Sequence, residues 1–216
     1  MLKLFFNILF IITLCNLYAQ DSATFKPGVF IGFDLARPAI ALYNPEQHTY
    51  EASLDWRFTK KYMLSFEVGT TTIDLDKQSY SYKSEGNYYR MGINYNFLKL
   101  SPDWDRGMFT VGLKYGMSNL KHYSPQLTID DRYWTIYKSS LPESKINSQW
   151  IELSTSLRTE ILKNIYLGYT LKMNFIVKTD NNGSMKPYYI PGYGKGVFTS
   201  FPLINYYIYY MIPYRK

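Results

Sequence analysis

A strict alternation of apolar and polar residues is the feature that most constrains the fold of this chain. In TYEASLDWRF, residues 49–58, the two kinds of side chain take turns without a break. Leu54 and Trp56 point to one side and Asp55 to the other, because successive side chains of a β-strand face opposite ways. A soluble barrel would bury the apolar face. A membrane barrel would press that face against lipid and enclose the polar one.

The same alternation recurs along most of the chain, in segments of roughly ten residues. These segments are 29–36, 50–58, 63–70, 88–97, 109–118, 151–161, 165–175 and 204–212. The last of them is aromatic on both sides, so its facing stays open. About eight strands of this length predict an all-β fold, namely a closed antiparallel up-and-down transmembrane β-barrel.

The connections between these segments alternate in length. The short connections are 59–61, 98–107 and 162–164, and the long ones are 37–49, 71–86, 119–148 and 177–201. Barrels of the outer membrane have short periplasmic turns and longer extracellular loops. The pattern therefore predicts a location in the outer membrane of a Gram-negative cell.

Two features of the faces indicate that the polar one looks inward. Glycine recurs on the polar face, at Gly32, Gly69, Gly92, Gly112, Gly116 and Gly168. Glycine weakens a water-facing strand, whereas the crowded interior of a small closed barrel needs the room. Aromatic residues suited to a membrane interface lie near the predicted strand ends, at Tyr50, Trp56, Phe58, Tyr62, Tyr95, Phe97 and Phe109. We therefore predict that Trp56 faces lipid and that Asp55 and Arg57 face the interior.

The polar face carries acids and bases in near balance. We expect a charge network in the barrel interior that is made of Asp34, Glu51, Asp55, Arg57, Glu67, Arg90, Lys114, Glu152, Arg158, Glu160 and Lys172. An unpaired buried charge costs several kcal/mol, so a narrow interior requires this balance. A barrel of about eight strands is filled by its own side chains, so we expect a structural network and not an ion path.

The chain begins with MLKLFFNILFIITLCNLYA, which predicts a secretory signal peptide over residues 1–19 and a single barrel domain over 20–216. The apolar run is too short to span a bilayer, and Ala19 is a small residue at the expected cleavage point. Cys15 is the one cysteine of the chain, and lipoprotein processing at this residue stays an alternative. Cleavage after the signal leaves no cysteine for disulfides or thiolate chemistry.

Charge and composition narrow the possible partners. The formal net charge is +7, but the basic residues are spread singly, so no nucleic-acid partner is expected. A basic exterior is compatible with anionic lipopolysaccharide in addition to outer-membrane lipid. The two distant histidines and scattered acids show no ligand spacing, so we expect no metal and no cofactor. We also expect a monomer.

Several stretches carry a resemblance to a known family. They are GFDLARP from Gly32, NYYRMGINYNFL from Asn87, FTVGLKYGMS from Phe109, the Trp150 and Glu152 pair, PYYIPGYGKG from Pro187 and INYYIYYMIP from Ile204. Over nearly the whole mature length, the chain resembles a domain-of-unknown-function family of outer-membrane β-barrel proteins from Bacteroidota. The resemblance implies an outer-membrane barrel without an assigned activity. More loosely, the architecture is similar to small barrels of the OmpA and OmpX type.

One short motif suggests an enzymatic alternative. KHYS, residues 121–124, spaces His122 and Ser124 as a membrane-embedded lipid A deacylase does. Pro125 follows where those enzymes carry Asn, and the acid that should orient the histidine cannot be placed. Nucleophile, base and orienting acid must converge, so we expect no enzyme and interpret His122 and His48 as exposed loop residues. A lipid A deacylase-like hydrolase is kept as an alternative.

The long loops carry candidate contact residues for a protein or glycan ligand. They are His122, Tyr133, Trp134, Tyr188, Tyr189, Tyr193 and Lys195. Aromatic residues in constrained loops make good contact surfaces, but a barrel cap or the lipid headgroup level would suit them equally. The sequence therefore predicts a structural or interaction protein that acts through long extracellular loops. An accessory barrel of a secretion or envelope-assembly machine is the other alternative.

Overall fold

Hydrogen bonding between neighbouring strands, and between the last strand and the first, closes the sheet into a barrel. The computed structural model describes residues 27–98, 107–129, 137–180, 186–195 and 203–214. The elements in chain order are β1 (Gly28–Asp34), α1 (Ala36–Ala41), β2 (Gln47–Arg57), β3 (Tyr62–Asp76), β4 (Tyr80–Asn96), β5 (Gly107–Ile129), β6 (Tyr137–Leu162), β7 (Ile165–Asp180), β8 (Tyr189–Ile190), β9 (Gly194–Lys195) and β10 (Leu203–Pro213).

Eight of these strands make up the barrel, in the order β1-β10-β7-β6-β5-β4-β3-β2, and β8 and β9 form a separate hairpin. Every barrel pair is antiparallel. The predicted all-β, up-and-down antiparallel fold that closes in a ring is confirmed. Within the described ranges, no helix is long and apolar enough to cross a membrane.

The alternation in the sequence separates an inner face from an outer face. On β2, Trp56 is 44% exposed and points outward, whereas Asp55 is completely buried and points inward. The facing of β10, which the sequence left open, follows the same rule. Tyr207 and Tyr209 are buried inside the barrel, and Ile208 is exposed outside it.

Aromatic side chains cluster on the outer face at the end of the barrel where the chain makes its short turns. The Trp56 and Phe58 ring centroids lie 5.6 Å apart, and the Trp56 indole donates a 2.8 Å hydrogen bond to the Tyr214 hydroxyl. Tyr62 packs on Tyr95 across the β3–β4 pair, with 5.3 Å between ring centroids. We call this end, with its aromatic band, the turn end.

Towards the opposite end, the polarity of the two faces inverts along a single strand. On β3, Phe66 and Val68 point outward and Glu67 is buried inside. Further along the same strand, Asp74 points outward and Ile73 is buried inside. The strand therefore passes from an apolar exterior to a polar one.

The inversion occurs at the same level on four neighbouring strands. Thr71 pairs with Gly86, Gly86 pairs with Leu120, and Leu120 pairs with Ile146. We call these four positions the transition row. On β5 beyond the row, Lys121 is exposed outside while Leu120 is 2% exposed inside.

From the transition row onward, β3, β4, β5 and β6 form what we call the platform, residues 71–76, 80–86, 120–129 and 137–146. The sequence interpretation had assigned 71–86 and 119–148 to long loops, which is wrong for all of these residues. The apolar outward pattern that marked the predicted strands ends at the transition row, but strand pairing needs only backbone hydrogen bonds and continues past it.

Interior glycines make room for large inward side chains, as the sequence pattern suggested. A Cβ atom on Gly116 would overlap the Trp150 ring, and one on Gly69 would overlap the Tyr88 ring. Trp150 and Tyr88 are almost completely buried. These rings can pack closely against the backbone only because the glycines opposite them have no side chain.

We predict that Gly116→Ala destabilises the barrel by about 1–3 kcal/mol, because the added methyl group forces the buried Trp150 ring out of place. The control is Gly107→Ala on the same strand, where the nearest atom to the new Cβ would be 3.8 Å away. The measurement is the urea midpoint of unfolding in lipid vesicles. Equal midpoints for the two variants would contradict the prediction.

Candidate functional site

The centre of the barrel holds three carboxylates and three cations that are contributed by six different strands. Glu51, Glu67, Glu152, Arg90, Lys114 and Lys172 are each at most 5% exposed. Each lies at an inward position of the alternating pattern on its strand. We call these six residues the central network.

Arg90 joins all three carboxylates of the central network. Its Nη2 lies 2.5 Å from Glu51 Oε1 and 2.8 Å from Glu67 Oε2, and its Nη1 lies 2.6 Å from Glu152 Oε2. A planar guanidinium suits this role because its several donors point in fixed directions. The Arg90 side chain therefore ties β4 to β2, β3 and β6 across the lumen.

The two lysines complete the charge balance. Lys114 Nζ lies 2.5 Å from Glu67 Oε1 and 3.3 Å from Glu152 Oε1. Lys172 Nζ lies 2.7 Å from Glu51 Oε1 and 3.1 Å from Glu67 Oε2. Each carboxylate thus contacts at least two cations, and the six formal charges cancel.

Two tyrosines that the sequence interpretation did not select form hydrogen bonds to the central network. The Tyr88 hydroxyl donates a 2.6 Å hydrogen bond to Glu51 Oε2. The Tyr207 hydroxyl donates to Glu51 Oε1 and accepts a 2.8 Å hydrogen bond from Lys172. Both tyrosines occupy inward positions, which the alternation could have revealed had polar aromatic residues been included with the charged ones.

A second ion pair lies nearer the turn end. Arg158 Nη2 is 2.6 Å from Asp55 Oδ2, and the Ser65 hydroxyl donates to the other oxygen of Asp55. The Arg158 guanidinium carbon also lies 4.0 Å from the Tyr209 ring centroid. This cation–π contact shields the pair from one side.

Asp34 has a structural role where β1 passes into α1. Its Oδ1 accepts hydrogen bonds from the backbone N–H of Ala36, at 2.9 Å, and of Tyr206, at 3.2 Å. Asn205 Nδ2 donates to Oδ2 at 2.5 Å. Arg37 Nε is 3.9 Å from the same oxygen. Asp34 therefore holds the first residues of β10 against the start of the helix.

Ten of the eleven residues expected in the interior network are buried, and one is not. The structure places ten of them in buried positions: Asp34, Glu51, Asp55, Arg57, Glu67, Arg90, Lys114, Glu152, Arg158 and Lys172. Glu160 is the exception and is only half-buried. Its carboxylate accepts a 2.8 Å hydrogen bond from the Asn164 N–H, because Glu160 lies next to the β6–β7 turn, where the register shifts between residues 160 and 162.

The β8–β9 hairpin folds back into the end of the barrel opposite the turn end. Ile190 is 1% exposed, and the Tyr193 ring packs on the Trp150 ring with 6.0 Å between centroids. Asn174 Nδ2 donates to the carbonyls of Gly192, at 3.2 Å, and Tyr193, at 3.0 Å. Gly192 has a φ of +74°, which L-residues with a side chain rarely adopt.

The hairpin changes the interpretation of the predicted loop contacts. Tyr189 and Tyr193 are each 4% exposed and cap the barrel, which is one of the roles that the sequence left open, and their role as ligand contacts stays a prediction. Tyr188 is exposed, and Lys195 Nζ lies 5.1 Å from its ring centroid. Tyr133 and Trp134 lie outside the described residues.

His122 is a further correction, because it lies within β5 on the inner face and is completely buried. Its Nδ1 is 3.4 Å from the Tyr82 hydroxyl, and its Nε2 has no hydrogen-bond partner among the described residues. Burial lowers the pKa of the His122 imidazole below its ordinary value. His48 is exposed as expected, but it belongs to β2 and not to a loop.

Ser124 does not form the hydrogen bond to His122 that a hydrolytic pair requires. Its hydroxyl donates to the carbonyl of Ser81 at 2.6 Å and to that of Gln126 at 3.2 Å. The β4–β5 pairing skips a residue between Ser81 and Lys83, and the β5–β6 register shifts on both sides of Ser124. The Ser124 hydroxyl therefore satisfies backbone groups at an irregular part of the sheet.

Taken together, the fold and its interior define a small closed β-barrel whose lumen is filled by ion pairs and capped by a hairpin. The chain belongs to the family described as "Domain of unknown function (DUF6048)", which matches residues 1–216. This confirms the expected membership of a family of unknown function; its occurrence in Bacteroidota stays a prediction. No curated protein matches the chain.

Two solved structures are similar in fold. One is the N-terminal β-barrel domain of Pseudomonas aeruginosa OprF, with 10% identity over 87% of this chain and 98% of that one and a TM-score of 0.38. The other is Acinetobacter baumannii CarO, with 10% identity over 90% of this chain and 100% of that one and a TM-score of 0.41.

We predict that Arg90→Met destabilises the barrel by about 3–5 kcal/mol, because three buried carboxylates are left with two cations. Adding Glu152→Gln to this variant should restore part of the loss, since it removes one of the uncompensated charges. The measurement is the free energy of unfolding in lipid vesicles. Lys145→Met, at an exposed position of β6, is the control, and a loss no larger than that of this control would contradict the prediction.

A second prediction concerns the effect of low pH on the structure around His122. Because the folded-state pKa of His122 is lowered, its unfolded or locally opened form binds the proton more readily. The contribution of the neutral His122 to local stability is therefore complete above the unfolded-state pKa of about 6.5, and it decreases as the pH falls through that value. We expect faster hydrogen exchange of the backbone amides of residues 120–124 at pH 5 than at pH 7.5, after correction for intrinsic rates.

The matched variant for this experiment is His122→Phe, which keeps an aromatic ring beside Tyr82 and cannot bind a proton. The acid-induced change in exchange should disappear in this variant. An unchanged acid response in His122→Phe would show that another group is responsible.

Proposed function

We propose that this chain is an integral outer-membrane barrel that carries the platform on its extracellular side and acts as a structural or interaction protein, not as a pore or an enzyme. The observation that carries this proposal is the inversion of face polarity at the transition row. A soluble barrel needs an apolar interior and a polar exterior over its whole length. Only a strand that passes from lipid into water needs both arrangements in sequence.

The length of the apolar zone supports the membrane assignment. On β5, large apolar residues point outward from Phe109 to Met117, between the turn end and the transition row. About nine to eleven residues of a tilted strand cross the hydrocarbon core of a bilayer. The aromatic band at the turn end then lies at one interface, where Trp and Tyr are favoured.

The interior favours an anchor over a channel. The central network fills the middle of the lumen, and the β8–β9 hairpin packs into the lumen above it, with Tyr193 against Trp150. An eight-stranded barrel leaves only enough interior space for its own side chains. The ion pairs of Arg90 would also have to be broken for a solute to pass, at a cost of several kcal/mol.

The geometry gives no support to the hydrolase alternative. A serine nucleophile needs a base within hydrogen-bonding distance, but the Ser124 hydroxyl donates to backbone carbonyls. The ring of His122 contacts Tyr82. The role we propose is therefore display: the barrel holds a twisted, water-exposed sheet outside the cell, where its faces and loops can meet other molecules.

The test uses single cysteines at the two ends of the molecule. Ser79 is exposed in the β3–β4 turn at the tip of the platform, and Lys60 is exposed in the β2–β3 turn at the turn end. We expect a membrane-impermeant maleimide to label Ser79→Cys on intact cells, and to label Lys60→Cys only after the outer membrane is permeabilised.

The native chain is the control, because its one cysteine lies in the predicted signal peptide. Both variants must also migrate faster before heating than after it in electrophoresis, as a closed barrel does. Labelling of Lys60→Cys on intact cells, or recovery of the protein in a soluble fraction, would contradict the proposal.

A further inference from the structure

The extracellular mouth of the barrel contains a cavity of about 330 Å³ between α1 and the β8–β9 hairpin. Its walls come from four parts of the chain. Arg37 and Ile40 belong to α1, Gln47 begins β2, Tyr189 and Tyr193 belong to the hairpin segment, and Leu203 begins β10. A cavity of this volume is at the lower end of the range for small-molecule sites.

Arg37 is one of two charged residues that line this cavity. Its side chain is 14% exposed, and its Nη1 donates a 3.2 Å hydrogen bond to the Tyr189 hydroxyl. Its Nε has no hydrogen-bond partner among the described residues, although it is buried, and the nearest carboxylate oxygen, on Asp34, is 3.9 Å away. Since that carboxylate does not engage Nε closely, the exposed part of the Arg37 side chain keeps its positive charge and N–H donors for a ligand in the cavity.

The other lining residues make the cavity positively charged and give it both apolar and polar walls. Lys195 is exposed, and none of the lining residues that the structure describes is an Asp or Glu. Tyr193 and Leu203 supply aromatic and aliphatic surface, and Gln47 supplies an amide. An organic anion would match both the positive charges and the apolar walls, because its uncharged part would contact those walls. An inorganic anion would leave the apolar walls without contacts.

We propose that this cavity binds a small acidic saccharide, with its carboxylate or phosphate group on Arg37 and Lys195 and its ring against Tyr189 and Tyr193. Arginine binds carboxylate and phosphate through paired hydrogen bonds. Tyrosine offers an apolar ring together with a hydroxyl, which suits the mixed surface of a sugar. The inference rests on the proposed function, because the mouth must open to the outside of the cell.

The experiment measures binding of galacturonate, glucose 6-phosphate, glucose and inorganic phosphate to the purified mature protein by calorimetry. The detergent must not contain a sugar headgroup, because such a headgroup would compete. We expect the two acidic sugars to bind at least tenfold more tightly than glucose and than phosphate. Arg37→Gln should weaken the binding of the acidic sugars at least tenfold, and Lys195→Gln should weaken it a few-fold because that residue is exposed.

Lys178→Gln, at an exposed position of β7, is the matched control and should leave binding unchanged. Lys195→Gln keeps the proposal testable if Arg37→Gln does not fold, because the Lys195 side chain is exposed and its replacement should not disturb the fold. Competition with the core oligosaccharide released from lipopolysaccharide distinguishes the two sources of such a ligand: displacement assigns the site to the cell's own envelope, and no displacement assigns it to a free saccharide.

Equal binding of glucose and glucose 6-phosphate, or undiminished binding to both cavity variants, would overturn the inference. Absence of any binding by a protein that still shows the expected cysteine labelling would overturn it as well, while leaving the proposed function intact. Failure of the labelling experiment would instead contradict the proposed function itself.

Discussion

Arg90 contacts three carboxylates at the centre of a barrel whose exterior is apolar, and the rest of the structure depends on this arrangement. The alternation that turns large apolar side chains outward necessarily turns every other side chain inward. An inward face of polar residues can be enclosed only if its charges are paired. The central network meets that condition, with Lys114 and Lys172 supplying the other two cations.

The transition row marks the change between two environments along the same strands. On its turn-end side, polar and charged groups fill the interior and apolar groups lie outside. Beyond it, the platform has the distribution of an ordinary soluble sheet, with polar groups outside and with Ile73, Leu75 and Tyr82 packed inside. The hairpin that carries Tyr189 completes this small core, so the cap of the lumen and the stability of the platform are linked.

Much of the barrel could be predicted from the sequence, because the period-two pattern fixes both the strand and its facing, as Trp56 and Asp55 illustrate. The platform strands could not be predicted, because the outward-facing residues become polar beyond the transition row while the backbone pairing continues. His122 was misplaced for this reason. The position of Tyr189 and Tyr193 could not be predicted either, because the pattern within a loop does not reveal that the loop folds back into a lumen. Glu160 shares the inward parity of its strand but is only half-buried, because it lies next to the β6–β7 turn at the end of the barrel.

The central claim is that the face bearing Trp56 contacts lipid and the face bearing Trp150 does not. The direct measurement is fluorescence quenching by lipids with brominated acyl chains, in variants that keep only one of these tryptophans and carry phenylalanine in place of the other three. We expect strong quenching of Trp56, which is 44% exposed, and little quenching of Trp150, which is completely buried. Quenching of Trp150 with a protected Trp56 would contradict the account and place the apolar face in a core.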